Sequence, residues 1–200
     1  NPMSRGQIVR WMLEEVGVPY DVEILDYASG MKSEAYRAIN PMQKVPAISH
    51  HGRVVTETAA ICAYLADVFP EAGLGPRDDE KADYYRWLFF AAGPLEQAVT
   101  NRAAGFEPSP DRQRMFGYGH YDLAISALAA HLASHEHVCG RRFTAADVYV
   151  GSAVMWGMQF GTLPKLEPFT AYGDRLAERE AYQRGKEEDG RLIAEMQAAG

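Results

Sequence analysis

Residues 40–48 of this 200-residue chain have the sequence Asn-Pro-Met-Gln-Lys-Val-Pro-Ala-Ile, and Glu57-Thr58 follows after a polar turn. An X-Pro bond such as that before Pro46 adopts the cis form far more readily than other peptide bonds, which suits a tight turn ahead of a strand. Glu57 and Thr58 precede an apolar run that predicts a helix, and the free N–H groups of a helix start attract carboxylates. The two features together predict a site that grips a small peptide-like ligand.

The sequence around this stretch alternates between helical and β-type patterns. Apolar residues recur at helical spacing before Gly17, and the segment that follows alternates apolar and acidic residues, which is typical of a strand with one buried face. The pair His51-Gly52 between two β-type runs indicates a hairpin. The predicted elements are a helix over 4–16, a strand over 20–25, a helix over 33–39, strands over 45–49 and 53–56, and a helix over 58–69.

The second half of the chain has almost no β-type pattern. Residues 71–79 are rich in Gly, Pro and acidic residues and are interpreted as a linker. We therefore predict a small mixed α/β domain over 1–70 and an all-helical domain over 80–200. The helical segments predicted in the second domain are 79–104, 111–133, 145–160 and 169–188.

Composition narrows the classes of function. Apolar residues make up 47% and charged residues 24% of the chain, values typical of a soluble globular protein. A net charge of −7 argues against nucleic acid as a partner. No apolar run reaches the roughly 18 residues of a membrane span, and no basic leader with an apolar stretch is present, so we expect no membrane association and a cytoplasmic location. Because the chain starts at Asn1 rather than Met, we expect residues upstream.

Four pieces of sequence occur in a consistent order. They are Trp11-Met12-Leu13-Glu14-Glu15 in the first helix, Asn-Pro-x-x-Lys-Val-Pro before a strand, Glu-Thr before a helix, and Phe143-Thr144-Ala145-Ala146-Asp147-Val148. In that order the chain resembles the cytosolic glutathione transferases of bacterial type. The resemblance implies an α/β thioredoxin-like N-terminal domain, whose first strand would lie upstream of Asn1, and an all-α C-terminal domain.

The resemblance also implies how glutathione, the co-substrate, is held. The bond before Pro46 would be cis and would turn the backbone N–H and C=O of Val45 toward the cysteinyl part of the tripeptide. Thr58 would hold the γ-glutamyl carboxylate through its N–H and hydroxyl, and Glu57 would pair with the neighbouring ammonium. Taken alone, Pro46 is more typical of the start of an edge strand, and Thr58 is also typical of a helix N-cap. With Glu57-Thr58 in place, the binding site is the favoured interpretation of Pro46.

Gln43 and Lys44 stand where the family commonly contacts the glycyl end of glutathione. Gly often occupies the position of Gln43, so this chain departs from the commonest pattern there. The Gln43 side chain either contacts ligand or faces water, and Lys44 is either a carboxylate partner or a solvated charge.

The thiol of glutathione must be deprotonated to react, since the thiolate is the nucleophile. Ser4 precedes the first helix, and its hydroxyl together with the helix start can stabilise a thiolate. Other branches of the family use a Tyr at the end of the first strand, or a Ser or Cys about one position away, so a Tyr upstream of Asn1 is the alternative. Ser4 is otherwise an ordinary N-cap.

The helical half contributes candidates for the second substrate and a structural signature. The candidates for contact with a hydrophobic electrophile are Tyr84, Asn101 and Arg102, which lie in the helix predicted over 79–104. The aromatic and apolar residues of this helix are more typical of a protein core. Thr144 and Asp147 form a predicted capping box and are assigned to folding. We expect no metal site, because His131 and His135 lack further ligands, and we expect Cys62 and Cys139 to be buried.

The resulting hypothesis is a glutathione transferase that joins the glutathione thiolate to small hydrophobic electrophiles in detoxification and works as a homodimer. Two alternatives stay open. One is glutathione-dependent isomerisation or peroxide reduction at the same site. The other is a non-catalytic interaction protein on the same fold, which damage to the glutathione-binding residues would favour.

Overall fold

A computed structural model describes residues 1–198 of the chain. Its contacts define two compact units. The first unit is Asn1–Gly75 together with the chain from Glu178 onward, and the second is Pro76–Ala177. In chain order the elements are α1 (Gly6–Val16), α2 (Glu34–Ile39), β1 (Ala47–His50), β2 (Arg53–Thr56), α3 (Thr58–Val68), α4 (Lys81–Phe90), α5 (Glu96–Ala103), α6 (Tyr121–Leu132), α7 (Ala145–Phe160), α8 (Glu167–Ala177) and α9 (Glu180–Ala198).

The first unit is organised around α1, which packs against α3 and α9. Four of the apolar positions of α1 that the sequence spacing identified, Ile8, Val9, Trp11 and Met12, are buried, and Val16 at the end of the helix is half-buried. Gly17 ends the helix with a φ of 74°, and its N–H donates to the Leu13 carbonyl at 2.9 Å. From α3, Ile61 and Leu65 complete this core.

Strands β1 and β2 form the predicted hairpin. Its turn places His51 and Gly52 at φ values of 49° and 74°, as a two-residue turn that matches the twist of the strands requires. The antiparallel register pairs Ala47 with Thr56 and His50 with Arg53. The residue before β1 and the residue after β2 therefore lie at the same end of the hairpin.

The strand predicted over residues 20–25 is wrong. The segment from Tyr20 to Leu25 has no regular structure, and the sheet within the described residues consists of β1 and β2. Val22, expected on a buried face, is 47% exposed. Alternation alone does not make a strand, because the backbone groups need a neighbouring strand to pair with.

Helix α9 packs on α1 through both shape and charge. A Cβ added to Gly185 would lie 3.5 Å from the Trp11 backbone, so the two helices approach closely there. Arg10 pairs with Asp189 at 2.9 Å, and both side chains are buried. The domain limits predicted from the sequence, 1–70, 71–79 and 80–200, stay a prediction, and residues 199 and 200 lie outside the described part of the chain.

The second unit contains α4 to α8. A π-helical turn at Ala91–Leu95 joins α4 to α5 and contains Pro94, which lacks the N–H that a regular α-helix would use. The helix predicted over 111–133 is wrong in its first part, since α6 begins only at Tyr121. Gly119, at a φ of 66°, breaks the pattern, and the His120 side chain accepts from the Leu123 N–H at 3.3 Å. No helix within residues 1–198 is long and apolar enough to cross a membrane.

Candidate functional site

The predicted ligand-binding residues converge at one end of the β1–β2 hairpin. Pro46 directly precedes β1 and Glu57 directly follows β2, and Ala47 and Thr56 between them are paired. Paired residues in an antiparallel ladder have Cα atoms roughly 4.5 to 5.5 Å apart, so the ends of these strands are neighbours. The Val45–Pro46 bond is cis, as the resemblance implies.

The backbone of Val45 is available to a ligand. In the part of the chain that the structure describes, neither its N–H nor its C=O makes a hydrogen bond. The residue as a whole is half-buried. A donor and an acceptor on one extended residue can pair with the backbone of a bound peptide as a strand does.

The turn that precedes Val45 is held by side chains that sequence reasoning missed. The carbonyl of Lys44 accepts the Tyr36 hydroxyl at 2.6 Å and the Asn40 Nδ2 at 2.8 Å. The Oδ1 of Asn40 also accepts from the Met42 N–H at 3.0 Å. Asparagine before Pro in a turn was the one available signal, because its side chain bonds nearby backbone groups.

The start of α3 presents unsatisfied donors beside a carboxylate. Within residues 1–198, the backbone N–H groups of Thr58 and Ala59 and the hydroxyl of Thr58 make no hydrogen bond, and Glu57 makes no ion pair. The Glu57 side chain is exposed, whereas Thr58 is buried. Such a helix start attracts an anion, while the neighbouring carboxylate attracts a cation.

The backbone at Glu57 is strained. Its φ of 66° and ψ of 114° lie outside the regions that a residue with a Cβ prefers. A conformation of this kind costs on the order of 1 to 3 kcal/mol and tends to mark a functional site. It points the Glu57 side chain away from the usual N-cap geometry, and no side-chain cap bond forms on α3.

Gln43 and Lys44 form the rim of the same hairpin end. Gln43 has a φ of 53°, which explains why a Gly would suit the position, and its N–H donates to the Asn40 carbonyl at 2.8 Å. Lys44 is exposed. Both residues directly precede Val45 in the chain, and their contacts with a ligand stay a prediction.

Comparison with known proteins decides the family. A family model described as the N-terminal domain of glutathione S-transferases matches residues 3–68. The glutathione S-transferase GstA of Escherichia coli O157:H7 is 30% identical over 153 residues, which cover 74% of this chain and 75% of GstA. The chain belongs to the glutathione S-transferase family. This confirms the resemblance seen in the sequence, and with it the enzyme class, glutathione transferase.

Two further relatives agree with this assignment. Glutathione S-transferase 3 of Schizosaccharomyces pombe is 29% identical over 162 residues, 72% of this chain and 66% of that protein. The solved structure of a sphingomonad glutathione S-transferase complexed with glutathione has a TM-score of 0.74 at 25% identity, and the match covers 94% of this chain and 95% of that one. The predicted fold class, a thioredoxin-like domain followed by a helical part, is confirmed.

In a glutathione S-transferase the candidate for thiol activation, Ser4, should offer a hydroxyl proton. In the structure Ser4 Oγ donates to the Asn1 carbonyl at 2.6 Å and accepts from the Gly6 N–H at 3.0 Å. The hydroxyl thus bonds backbone groups just before α1 and at its first residue, whereas the N-cap residue of the helix is Arg5. Its assignment to catalysis stays a prediction.

The predicted second-substrate residues of this transferase all lie in the second unit. Tyr84 is 1% exposed, which favours a packing role. Asn101 donates to the Tyr118 hydroxyl at 3.0 Å, and the Arg102 guanidinium lies 4.0 Å from the centre of the Tyr121 ring. Their contact with an acceptor stays a prediction.

Neither cysteine offers a reactive thiol for the transferase reaction. Burial raises the pKa of Cys62 to about 12, and burial likewise raises the pKa of Cys139 to about 12. A reactive thiolate at neutral pH would need the opposite shift.

Among the described residues no cluster of three or more potential metal ligands occurs. His131 and His135 stack on each other with ring centres 4.1 Å apart.

Proposed function

We propose that this transferase binds glutathione at the end of the β1–β2 hairpin and joins its thiolate to hydrophobic electrophiles. The observation that carries the proposal is the set of unsatisfied backbone groups at Val45 and at the start of α3. Buried or half-buried backbone donors and acceptors are normally paired, so their availability at one place favours a ligand there. Family membership supports glutathione as that ligand.

Each part of glutathione has a counterpart of matching charge and shape. The γ-glutamyl carboxylate lies at the start of α3, where the N–H and hydroxyl of Thr58 donate to it. The γ-glutamyl ammonium pairs with the carboxylate of Glu57, a charge-assisted contact worth roughly 1.5 to 3 kcal/mol. The cysteinyl backbone pairs with the N–H and C=O of Val45, and the glycyl carboxylate lies near Gln43 and Lys44.

Activation of the thiol is assigned to Ser4. To donate to the sulfur, the Ser4 hydroxyl turns away from the Asn1 carbonyl, to which it donates in the structure. The glutathione thiol gives its proton to solvent, and the thiolate is stabilised by the hydroxyl and by the start of α1. The sulfur then forms a bond to an electrophilic carbon, and the leaving group departs with its electron pair.

The acceptor class, the assembly and the location follow the family. We assign small hydrophobic electrophiles as acceptors, with Tyr84, Asn101 and Arg102 as their candidate contacts. A homodimer and a cytoplasmic location belong to the same proposal. They rest on family membership.

Two measurements test the proposal. The first is the affinity for glutathione by calorimetry, followed by conjugation to an activated aryl halide. Absence of glutathione binding would overturn the proposal. The second measurement is the ultraviolet absorbance of bound thiolate against pH for wild type and Ser4→Ala. We expect Ser4→Ala to raise the pKa of the bound thiol, and an unchanged value would assign activation to another residue.

A further inference from the structure

Two buried polar side chains converge on one backbone carbonyl beside the proposed glutathione site. The Lys44 carbonyl accepts the Tyr36 hydroxyl at 2.6 Å and the Asn40 Nδ2 at 2.8 Å. Tyr36 is 7% and Asn40 3% exposed. Burying a phenol and an amide is costly unless they are hydrogen-bonded, and apolar residues would fill the same space without that requirement. The choice of polar residues indicates that the position of this carbonyl matters.

Both side chains are themselves firmly held. The Asn40 N–H donates to the Tyr36 carbonyl at 2.7 Å, so the end of α2 joins the two residues directly. The Oδ1 of Asn40 accepts from Met42 N–H at 3.0 Å, and its backbone carbonyl accepts from Gln43 N–H at 2.8 Å. Asn40 thus binds the turn at three points between residues 42 and 44. The turn cannot rotate without breaking these bonds together.

The carbonyl of Lys44 and the N–H of Val45 belong to the same peptide group, which is planar and trans in the ordinary case. Fixing the carbonyl direction therefore fixes the direction of the Val45 N–H, which points to the opposite side. We propose that Tyr36 and Asn40 are positioning residues for glutathione: by holding the Lys44 carbonyl they aim the Val45 N–H at the cysteinyl part of the tripeptide. This inference rests on the proposed function.

The test compares Tyr36→Phe and Asn40→Asp with a matched control on the same helix. Tyr36→Phe removes only the hydroxyl, and Asn40→Asp keeps the acceptor for Met42 but replaces the donor to Lys44 with a buried carboxylate oxygen that repels the Lys44 carbonyl. The control is Ser33→Ala, which removes the N-cap of α2, where Ser33 Oγ accepts from the Tyr36 N–H at 3.1 Å. It weakens the helix without touching the Lys44 carbonyl.

We expect Tyr36→Phe to raise KM for glutathione by roughly three- to tenfold, since one hydrogen bond is lost from the pair. Asn40→Asp should raise it by at least as much, since a repulsion is added to the lost bond. The kcat at saturating glutathione and its pH profile should stay within about twofold of wild type, because the thiol environment is unchanged. Ser33→Ala should lower the Tm and leave KM for glutathione at the wild-type value.

The outcomes separate the two proposals. If wild type binds glutathione and both variants keep its KM while losing thermal stability, Tyr36 and Asn40 are structural only and the inference is overturned. If Ser33→Ala raises KM as much as they do, the effect belongs to α2 as a whole, which also overturns it. If wild type itself does not bind glutathione, the proposed function fails and this inference with it.

Discussion

Helices α3 and α7 both start with an acidic residue and a threonine, but these residues have different roles in the two helices. At α7 the capping box is complete, and Asp147 accepts four hydrogen bonds, two from Thr144, one from the Val138 N–H and one from the Tyr172 hydroxyl. Asp147 and Thr144 are fully buried. At α3 the acid and the hydroxyl of Glu57-Thr58 make no such bonds within residues 1–198.

The difference shows how a folding role and a binding role can be told apart when the residue types are alike. A saturated polar cluster stabilises the protein and has nothing left for a ligand. Burial raises the pKa of Tyr172 well above its ordinary value, which keeps that hydroxyl protonated as a donor to Asp147. An unsaturated helix start with a strained backbone lowers stability and keeps its groups for a partner.

The largest effect should come from Asp147→Ala. It leaves the Val138 N–H, the Tyr172 hydroxyl and the Thr144 N–H buried without their acceptor, so we expect the free energy of unfolding to fall by roughly 3 to 5 kcal/mol. Chemical denaturation measures this change. The KM for glutathione of the folded fraction should match wild type, and a loss of binding without a loss of stability would break the contrast between the two helix starts.

Glu57→Gln should have the opposite effect to Asp147→Ala: glutathione binding should weaken while stability stays the same. It keeps the size and the backbone but removes the charge that pairs with the ammonium, so KM for glutathione should rise by about 10- to 100-fold. The free energy of unfolding should hardly change, because Glu57 makes no ion pair among the described residues. Steady-state kinetics against glutathione and a denaturation curve of the same variant decide the matter, and an unchanged KM would contradict the assigned role.

Glu57→Gly isolates the backbone strain. Glycine accepts a positive φ without penalty, so we expect this variant to gain about 1 kcal/mol of stability while losing glutathione affinity as Glu57→Gln does. Thermal denaturation of the two variants side by side measures the difference. Thr144→Gly is the matched control at the other helix start, where the backbone is extended with a φ of −139°. That control should lose stability.

The smallest effect is a pH dependence at the flank of α7. Arg142 hydrogen-bonds Glu80 and holds the pKa of that carboxyl below its ordinary value of 4.5. A lowered pKa in the folded state contributes stability above pH 4.5 that is lost as the pH falls through the folded pKa. In Glu80→Gln the free energy of unfolding should therefore fall less steeply as the pH drops below 4.5, by a difference of less than about 1 kcal/mol from wild type. Chemical denaturation at several pH values measures this difference.

Sequence reasoning worked where local chemistry decides the structure. The hairpin turn at His51-Gly52, the box at Thr144 and Asp147 and the start of α3 all depend on residues within a few positions of one another. Tyr36 was missed because its hydroxyl reaches a carbonyl eight residues along the chain, and the orientation of that carbonyl exists only in the folded turn.

The failures have a related cause. Alternation over 20–25 predicted a strand, but a strand exists only with a neighbour, and local pattern carries no information about the neighbour. Ser4 is not one of these failures, since its catalytic role stays a prediction, but its contacts also depend on where another group, the Asn1 carbonyl, lies. Residue types near the site were predictable, and the direction of single hydrogen bonds was not.

The first unit is assembled from the two ends of the chain, with Asp189 on α9 reaching Arg10 on α1. About a hundred residues of the second unit are synthesised between them. At ribosomal rates of roughly 5 to 20 residues per second, that interval lasts on the order of 5 to 20 seconds. During this interval the face of α1 that carries Trp11 is not yet covered by α9. We therefore expect a nascent chain to expose this apolar face, and to be most prone to aggregation, while the second unit is being made.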